Sequence, residues 1–272
     1  MRSRRILLSL TRRPTWAFMA SGVVDQRSDV DLMPNGSLET LRCGAPPLGH
    51  IRDARASVRT AILFEVGVGC LLLGIAALAG FVFVHRPWPN RIDTWGDLLL
   101  PADLGSHWAH DFVTLGSMTA LIAGVVLVFF MGILRDWVRA IACATAPVIA
   151  VLIVQEIAKP LVDRQSVVTG ALSYPSGTVA AVAALATALT LVVPAKTRLP
   201  VVVLGLLAII GAASAVVVLR WHYPTDALGG VAVGVGSVLV IDGLLHIPRI
   251  IAGRSGSPRG GSLNDPGLAD LT

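Results

Sequence analysis

The chain has 272 residues, 54% of them hydrophobic and 14% charged, with a mean hydropathy of +0.73. Soluble domains carry about a quarter charged residues, so this composition excludes an ordinary soluble domain and points to an integral membrane protein. The formal charge of +5 comes mainly from arginines that flank apolar runs, which argues against nucleic acid as a partner; the three scattered cysteines (Cys43, Cys70, Cys143) suggest neither a disulfide framework nor a zinc site.

Up to Arg59 the chain carries ten arginines and no sustained apolar period. Ile6 to Leu10 is too short for a secretory core. Residues 1–58 are therefore expected to form a basic, mostly disordered cytoplasmic extension. Six apolar runs follow, at about 60–84, 112–134, 140–158, 176–194, 199–219 and 226–247. Each is near the length needed to cross a bilayer core of about 30 Å, and only helices satisfy their own backbone in lipid. The third and fourth runs are short, as suits helices whose outer ends open into a polar site. Gly and Ala in the last three allow close helix approach. The expected fold is all-α: a polytopic six-transmembrane-helix bundle over residues 59–248, followed by a disordered tail at 249–272.

Seventeen of the 22 Lys and Arg fall on one face of this topology, with five (Arg86, Arg91, Lys159, Arg164, Arg220) on the other. The positive-inside rule then puts both termini in the cytoplasm and these five residues outside the plasma membrane. Of the remaining polar residues, His107, His110 and Asp111 precede the second run beside Trp95 and Trp108, and read first as interfacial anchors. The alternative is that one of these histidines donates a proton. Glu156 reads as the ion-pair partner of Lys159, Glu65 as reaching the interface, and Asp242 and His246 as a pair with each other or with Lys196.

Between the last two runs lies Arg220-Trp-His-Tyr-Pro-Thr-Asp226. A carboxylate at Asp226 that binds one ring nitrogen of His222 fixes the tautomer and frees the other nitrogen as a nucleophile. A guanidinium at Arg220 suits a phosphate oxyanion. The loop after the third run supplies Lys159 and Arg164, and Ser176, Gly177 and Thr178 open the fourth run, where free amides meet the positive end of a helix dipole. The topology places all of these on one outer rim.

This layout resembles the type 2 phosphatidic acid phosphatase superfamily, the membrane branch related to vanadium haloperoxidases. The resemblance covers about residues 60–248 and is sharpest at Lys159, Pro175-Ser176-Gly177 and His222-Tyr-Pro-Thr-Asp226. Ser166-Val167 stand where the first family motif has Arg-Pro, Thr178 where the second has histidine, and Ala215-Val216 where the third has Ser-Arg. The resemblance implies catalysis by His222 and Asp226 through a phosphohistidine. Lys159, Arg164, Ser176, Gly177, Thr178 and Arg220 would hold the phosphate, without a metal or cofactor. Membrane lipids are the implied partners, and a phosphatidate-like or prenyl diphosphate lipid the implied substrate. A catalytically inactive relative that binds anionic headgroups, or serves as a membrane scaffold, is the alternative. The family's second-motif histidine is thought to serve as general acid, so Thr178 leaves that role without an assigned residue.

Overall fold

A computed structural model of the chain describes residues 48–255, with residues 87, 101–105 and 167 excepted. The expected disordered extension and tail lie almost wholly outside the described residues. Among those described, the secondary structure is helical, with no strand beyond an isolated antiparallel bridge between Gln165 and Leu172.

The helices are α1 (Leu48–Phe83), α2 (Arg91–Leu99), α3 (Ser106–Thr114), α4 (Met118–Ile133), α5 (Trp137–Leu152), α6 (Lys159–Val162), α7 (Gly177–Val192), α8 (Ala195–Val218) and α9 (Pro224–Ser255). A π-helical turn at Ile153–Ala158 joins α5 to α6, so the third run continues past its expected end at residue 158 and forms one long element, Trp137–Val162. Among the described residues, four helices are long and apolar enough to cross a membrane, and a fifth span arises if α3 and α4 count together. That pair is bent by 47° at Leu115–Ser117, inside the second run expected at about 112–134. Ser117 caps α4 by accepting from the Ala120 amide, so the sequence itself restarts the helix there.

The fourth run is the centre of the molecule. α7 has 16 residues, a rise of about 24 Å against a bilayer core of about 30 Å. Its buried residues, among them Val179, Ala180, Ala183, Ala184 and Ala188, face α4, α5, α8 and α9. A helix that is apolar all round belongs inside a bundle, and small side chains let its neighbours come close. Gly234 of α9 shows how close: a Cβ there would lie 2.5 Å from the Ala180 carbonyl oxygen and 3.0 Å from the Ala183 Cβ. Gly234→Ala is therefore expected to cost about 1–3 kcal/mol of stability through overpacking. Gly67→Ala, at a position with nothing within 4 Å of a built Cβ, is expected to cost nothing. Thermal unfolding of both variants in detergent checks the contrast.

At the bundle end remote from the 163–176 loop, Arg139 donates to both oxygens of Asp242, at 3.3 and 3.0 Å. His246 donates from Nδ1 to the Asp242 carbonyl at 2.7 Å and places Nε2 3.5 Å from Asp136. The expected Asp242–His246 association is present, but Arg139 holds the carboxylate. Glu65 does not simply reach outward: its Oε2 is buried, without a hydrogen-bond partner among the described residues.

Candidate active site

The heptapeptide that begins at Arg220 is shaped by how one helix ends and the next begins. The Trp221 amide bonds the Val216 carbonyl at 3.0 Å and the Arg220 amide bonds that of Val217 at 2.9 Å, the paired bonds of a Schellman stop. That stop needs a left-handed residue after the cap, and the chain puts Arg220 there, with φ 59°. Glycine adopts this conformation freely; a side chain there costs about 1–3 kcal/mol and persists only where something else requires it. Arg220 therefore does not continue the α8 face. α8 ends at Val218, Val216 is wholly buried in the core, and the left-handed turn carries Arg220 out of the helix.

The following helix starts on Pro224, whose missing N–H costs nothing in the first turn. Asp226, two residues further, accepts the Tyr223 amide on Oδ2 at 2.9 Å, the backward half of a capping box. Its other oxygen accepts from Arg164 Nη1 at 2.7 Å.

Arg164 is the hub of this region, with 1% of its surface exposed. Nη1 also donates to Thr225 Oγ1 at 2.9 Å, and Nη2 donates to Asp93 Oδ2 at 2.7 Å. The guanidinium lies between two aromatic faces, 4.5 Å from the Phe83 centroid and 4.4 Å from that of Tyr223, where cation–π attraction adds to the ion pairs. Its backbone is fixed by Ser173, whose amide and hydroxyl both donate to the Arg164 carbonyl, at 2.7 and 3.1 Å. Asp93 completes the cluster by accepting the amide and hydroxyl of Thr225 on Oδ1, at 3.0 and 2.7 Å.

Asp93 arrives there because α2 opens with a capping box: Asn90 Oδ1 accepts the Asp93 amide, and Asp93 Oδ2 accepts the Asn90 amide. One turn on, Gly96 sits against Pro224, with no room for a Cβ. α2 is thereby clamped to the start of α9. Its other face exposes Ile92, Trp95, Leu98 and Leu99.

A cavity of about 430 Å³ opens on this framework, lined in part by Trp88, Asp97, Ser166, Arg220, His222 and Tyr223. Arg220 Nη1 pairs with Asp97 Oδ1 at 2.6 Å. His222 Nδ1 is buried without a hydrogen-bond partner among the described residues, 3.8 Å from Asp226 Oδ2. That is just beyond bonding range, and catalytic hydrogen bonds often tighten once substrate is bound. Burial pushes the Asp97 carboxyl above the usual carboxylate range; the Arg220 charge pulls the other way, and the Asp93 charge adds to the rise. The Tyr174 phenol, which donates to the Ala76 carbonyl at 2.6 Å, is pushed up to about 12 by burial, with the Asp226 charge adding to it.

The remaining expected residues are spread around this framework. The Ser176 amide is taken by the Asp226 carbonyl at 2.9 Å, and the Ser176 hydroxyl accepts the Val179 amide at 3.5 Å. Gly177 lies against the Gln155 side chain, and Thr178 packs on Gly116 in the break between α3 and α4. Lys159 is half-buried at the end of the π-turn, close enough to Asp226 for their charges to interact. It has no ion pair with Glu156, which is exposed. A π-turn carries more residues per turn than an α-helix, so residues three apart no longer stack. His107 and His110 are exposed and do not line the cavity; Trp108 is half-buried against Phe112.

The structure thus joins Arg220 and His222 in one cavity with Asp226 behind the ring. Arg164, expected among the phosphate ligands, instead has both terminal nitrogens on carboxylates. Asp93 and Asp97 were not foreseen. A second, apolar groove of about 290 Å³ runs between α4, α7 and α8, from Leu115 toward Val201. Residues 155–244 match the family model of the PAP2 superfamily. Comparison with curated proteins and with solved structures gives no match.

Proposed function

We propose, from the PAP2-superfamily match of residues 155–244 in a multi-pass membrane protein, that the chain is a lipid phosphatase acting on a phosphate or diphosphate lipid. The observation that carries this reading is the cavity in which His222 sits between the Arg220 guanidinium and the buried Asp226–Arg164–Asp93 cluster. Rotation of the ring brings Nδ1 onto Asp226 and turns Nε2 toward the cavity. Nε2 attacks phosphorus, and the imidazolium that forms is balanced by the cluster, which carries two carboxylates against one guanidinium. Arg220 holds the equatorial oxygens, the part of the site that contributes most to phosphoryl transfer. Lys159 adds a positive charge near enough to act on Asp226. Arg164 positions Asp226 rather than touching phosphate. Water then releases phosphate from the histidine.

The apolar groove supports a lipid substrate. Its Leu115 end adjoins Gly116, which rests on Thr178 at the head of α7. The count of five cations on the site face against seventeen elsewhere supports, by the positive-inside rule, a site on the outer side of the plasma membrane with both termini cytoplasmic.

The test is phosphate release by purified protein in phospholipid vesicles, from phosphatidate and from a prenyl diphosphate, with Arg220→Gly as comparator. Arg220→Gly is expected to lower turnover by about 10²–10³, the usual cost of a lost oxyanion donor. Its stability is expected to stay within about 1 kcal/mol of wild type, because glycine relieves the left-handed strain. Ser166 in place of an arginine and the Asp97 carboxylate on Arg220 favour one other reading, an inactive relative that binds anionic headgroups. Headgroup binding without phosphate release from either lipid would establish that reading instead.

A further inference from the structure

Cleaving a phosphate ester from an alkanol needs a proton for the departing oxygen, because an alkoxide is a very poor leaving group. The cavity narrows the donors. Arg220 cannot lose a proton at any working pH. His222 is the nucleophile of the proposed reaction, on which this inference rests. Asp226 is fully buried and committed to Arg164 and the Tyr223 amide. Among the described residues lining the cavity, Asp97 is the remaining carboxyl.

We propose that Asp97 is the general acid for the leaving oxygen, released for that role when substrate phosphate takes its place on Arg220. Three features of the geometry carry this. Asp97 lies one helical turn after Asp93 on α2, so the capping box and the Asp93–Arg164 pair that fix Asp93 also fix Asp97. Gly96, between them, locks the helix on Pro224, two residues from His222. The Asp97 carboxylate occupies Arg220 as a phosphate oxygen would, at 2.6 Å, so docking of substrate exchanges one anion for another.

The exchange supplies the proton. A phosphomonoester monoanion gives its ionised oxygens to Arg220 and its hydroxyl proton to the freed carboxylate. That carboxylate has lost its cation and lies beside a dianion, so it holds the proton. Burial and the Asp93 charge already favour the protonated form, against the pull of Arg220. The His222 Nε2–phosphorus bond then forms as the phosphorus–oxygen bond to the alcohol breaks, and the Asp97 proton passes to the alcohol oxygen. In the second step Asp97 takes a proton from the water that attacks phosphorus. The nitrogen–phosphorus bond breaks, phosphate leaves with that proton, and the ionised Asp97 carboxylate returns to Arg220.

The experiment measures first-turnover release of dodecanol from dodecyl phosphate and of nitrophenolate from nitrophenyl phosphate, before the shared phosphohistidine is hydrolysed, by wild type, Asp97→Asn and Arg220→Gly in vesicles. Nitrophenolate leaves without help, so only the alkyl ester needs the acid. Asp97→Asn is expected to lower the rate of dodecanol release by about 10²–10⁴ and that of nitrophenolate release by less than about tenfold. Arg220→Gly is expected to lower both together. The ratio of the two substrates is read within one preparation, so partial misfolding does not alter it. An unchanged ratio in Asp97→Asn, whether both rates fall or neither does, overturns the acid role. No phosphate from either ester with wild type, or equal rates for wild type and His222→Ala, overturns the phosphatase reading itself.

Discussion

Replacing Arg164 with methionine is expected to lower the stability of the protein by about 3–5 kcal/mol, the usual consequence of removing one partner of a buried ion pair. The side chain is fully buried, and so are Asp93 and Asp226, the two carboxylates it neutralises. Methionine fills much of the volume between Phe83 and Tyr223 but leaves two negative charges in a low-dielectric interior. The loss comes from that desolvation, not from missing contacts, which makes the effect separable. Adding Asp93→Asn to Arg164→Met is expected to recover part of the stability, because one of the orphaned charges is removed. Non-additive behaviour of this kind is what a double-mutant cycle reports for groups in one network. Unfolding midpoints in detergent for the two single variants and the double variant check it. Equal and additive losses would show that the three groups do not act as a unit. Arg164→Lys is expected to be nearly as damaging as methionine, since an ammonium cannot lie flat between two rings while donating along two directions.

Replacing His222 with alanine is expected to abolish phosphate release, by a factor on the order of 10⁴–10⁶, as the loss of a nucleophile does elsewhere. The same change is expected to leave stability within about 1 kcal/mol of wild type. His222 has no hydrogen-bond partner on Nδ1, and the cluster behind it is already satisfied through Arg164, Thr225 and the Tyr223 amide. Activity and stability therefore part company at this residue, whereas at Arg164 they fall together. That contrast distinguishes a residue that performs the reaction from one that positions Asp226. Phosphate release and unfolding midpoints, measured on the same preparations, resolve the two.

Much of the bundle was legible because apolar run length and small-residue content are local properties of the chain. The two ends of the His222–Asp226 pair were legible for the same reason: they lie four residues apart, and Pro224 fixes the start of the helix between them. Arg220 was read as a phosphate ligand from its guanidinium, and the structure lines the His222 cavity with it. The left-handed stop that turns its side chain aside was not legible, because it depends on a non-glycine residue adopting a costly conformation. Arg164 was misjudged because its partner Asp93 lies 71 residues away, in a loop read chiefly for its tryptophans and histidines. A signal was present there: Asn90, two residues, then Asp93 has the spacing of a capping box and marks a helix start. Recognising α2 would have put Asp93 and Asp97 on one face and asked what they meet. The π-turn before Lys159 left no such signal in the local sequence, so the pairing with Glu156 was drawn on α-helical spacing that the chain does not keep.

The most direct test of the central claim is to trap the covalent intermediate. Wild-type protein in vesicles, mixed with phosphorus-labelled dodecyl phosphate and quenched in alkali, which preserves phosphohistidine, is expected to carry label on His222, with none on His222→Ala. Label on another residue, or phosphate released at the wild-type rate by His222→Ala, would contradict it.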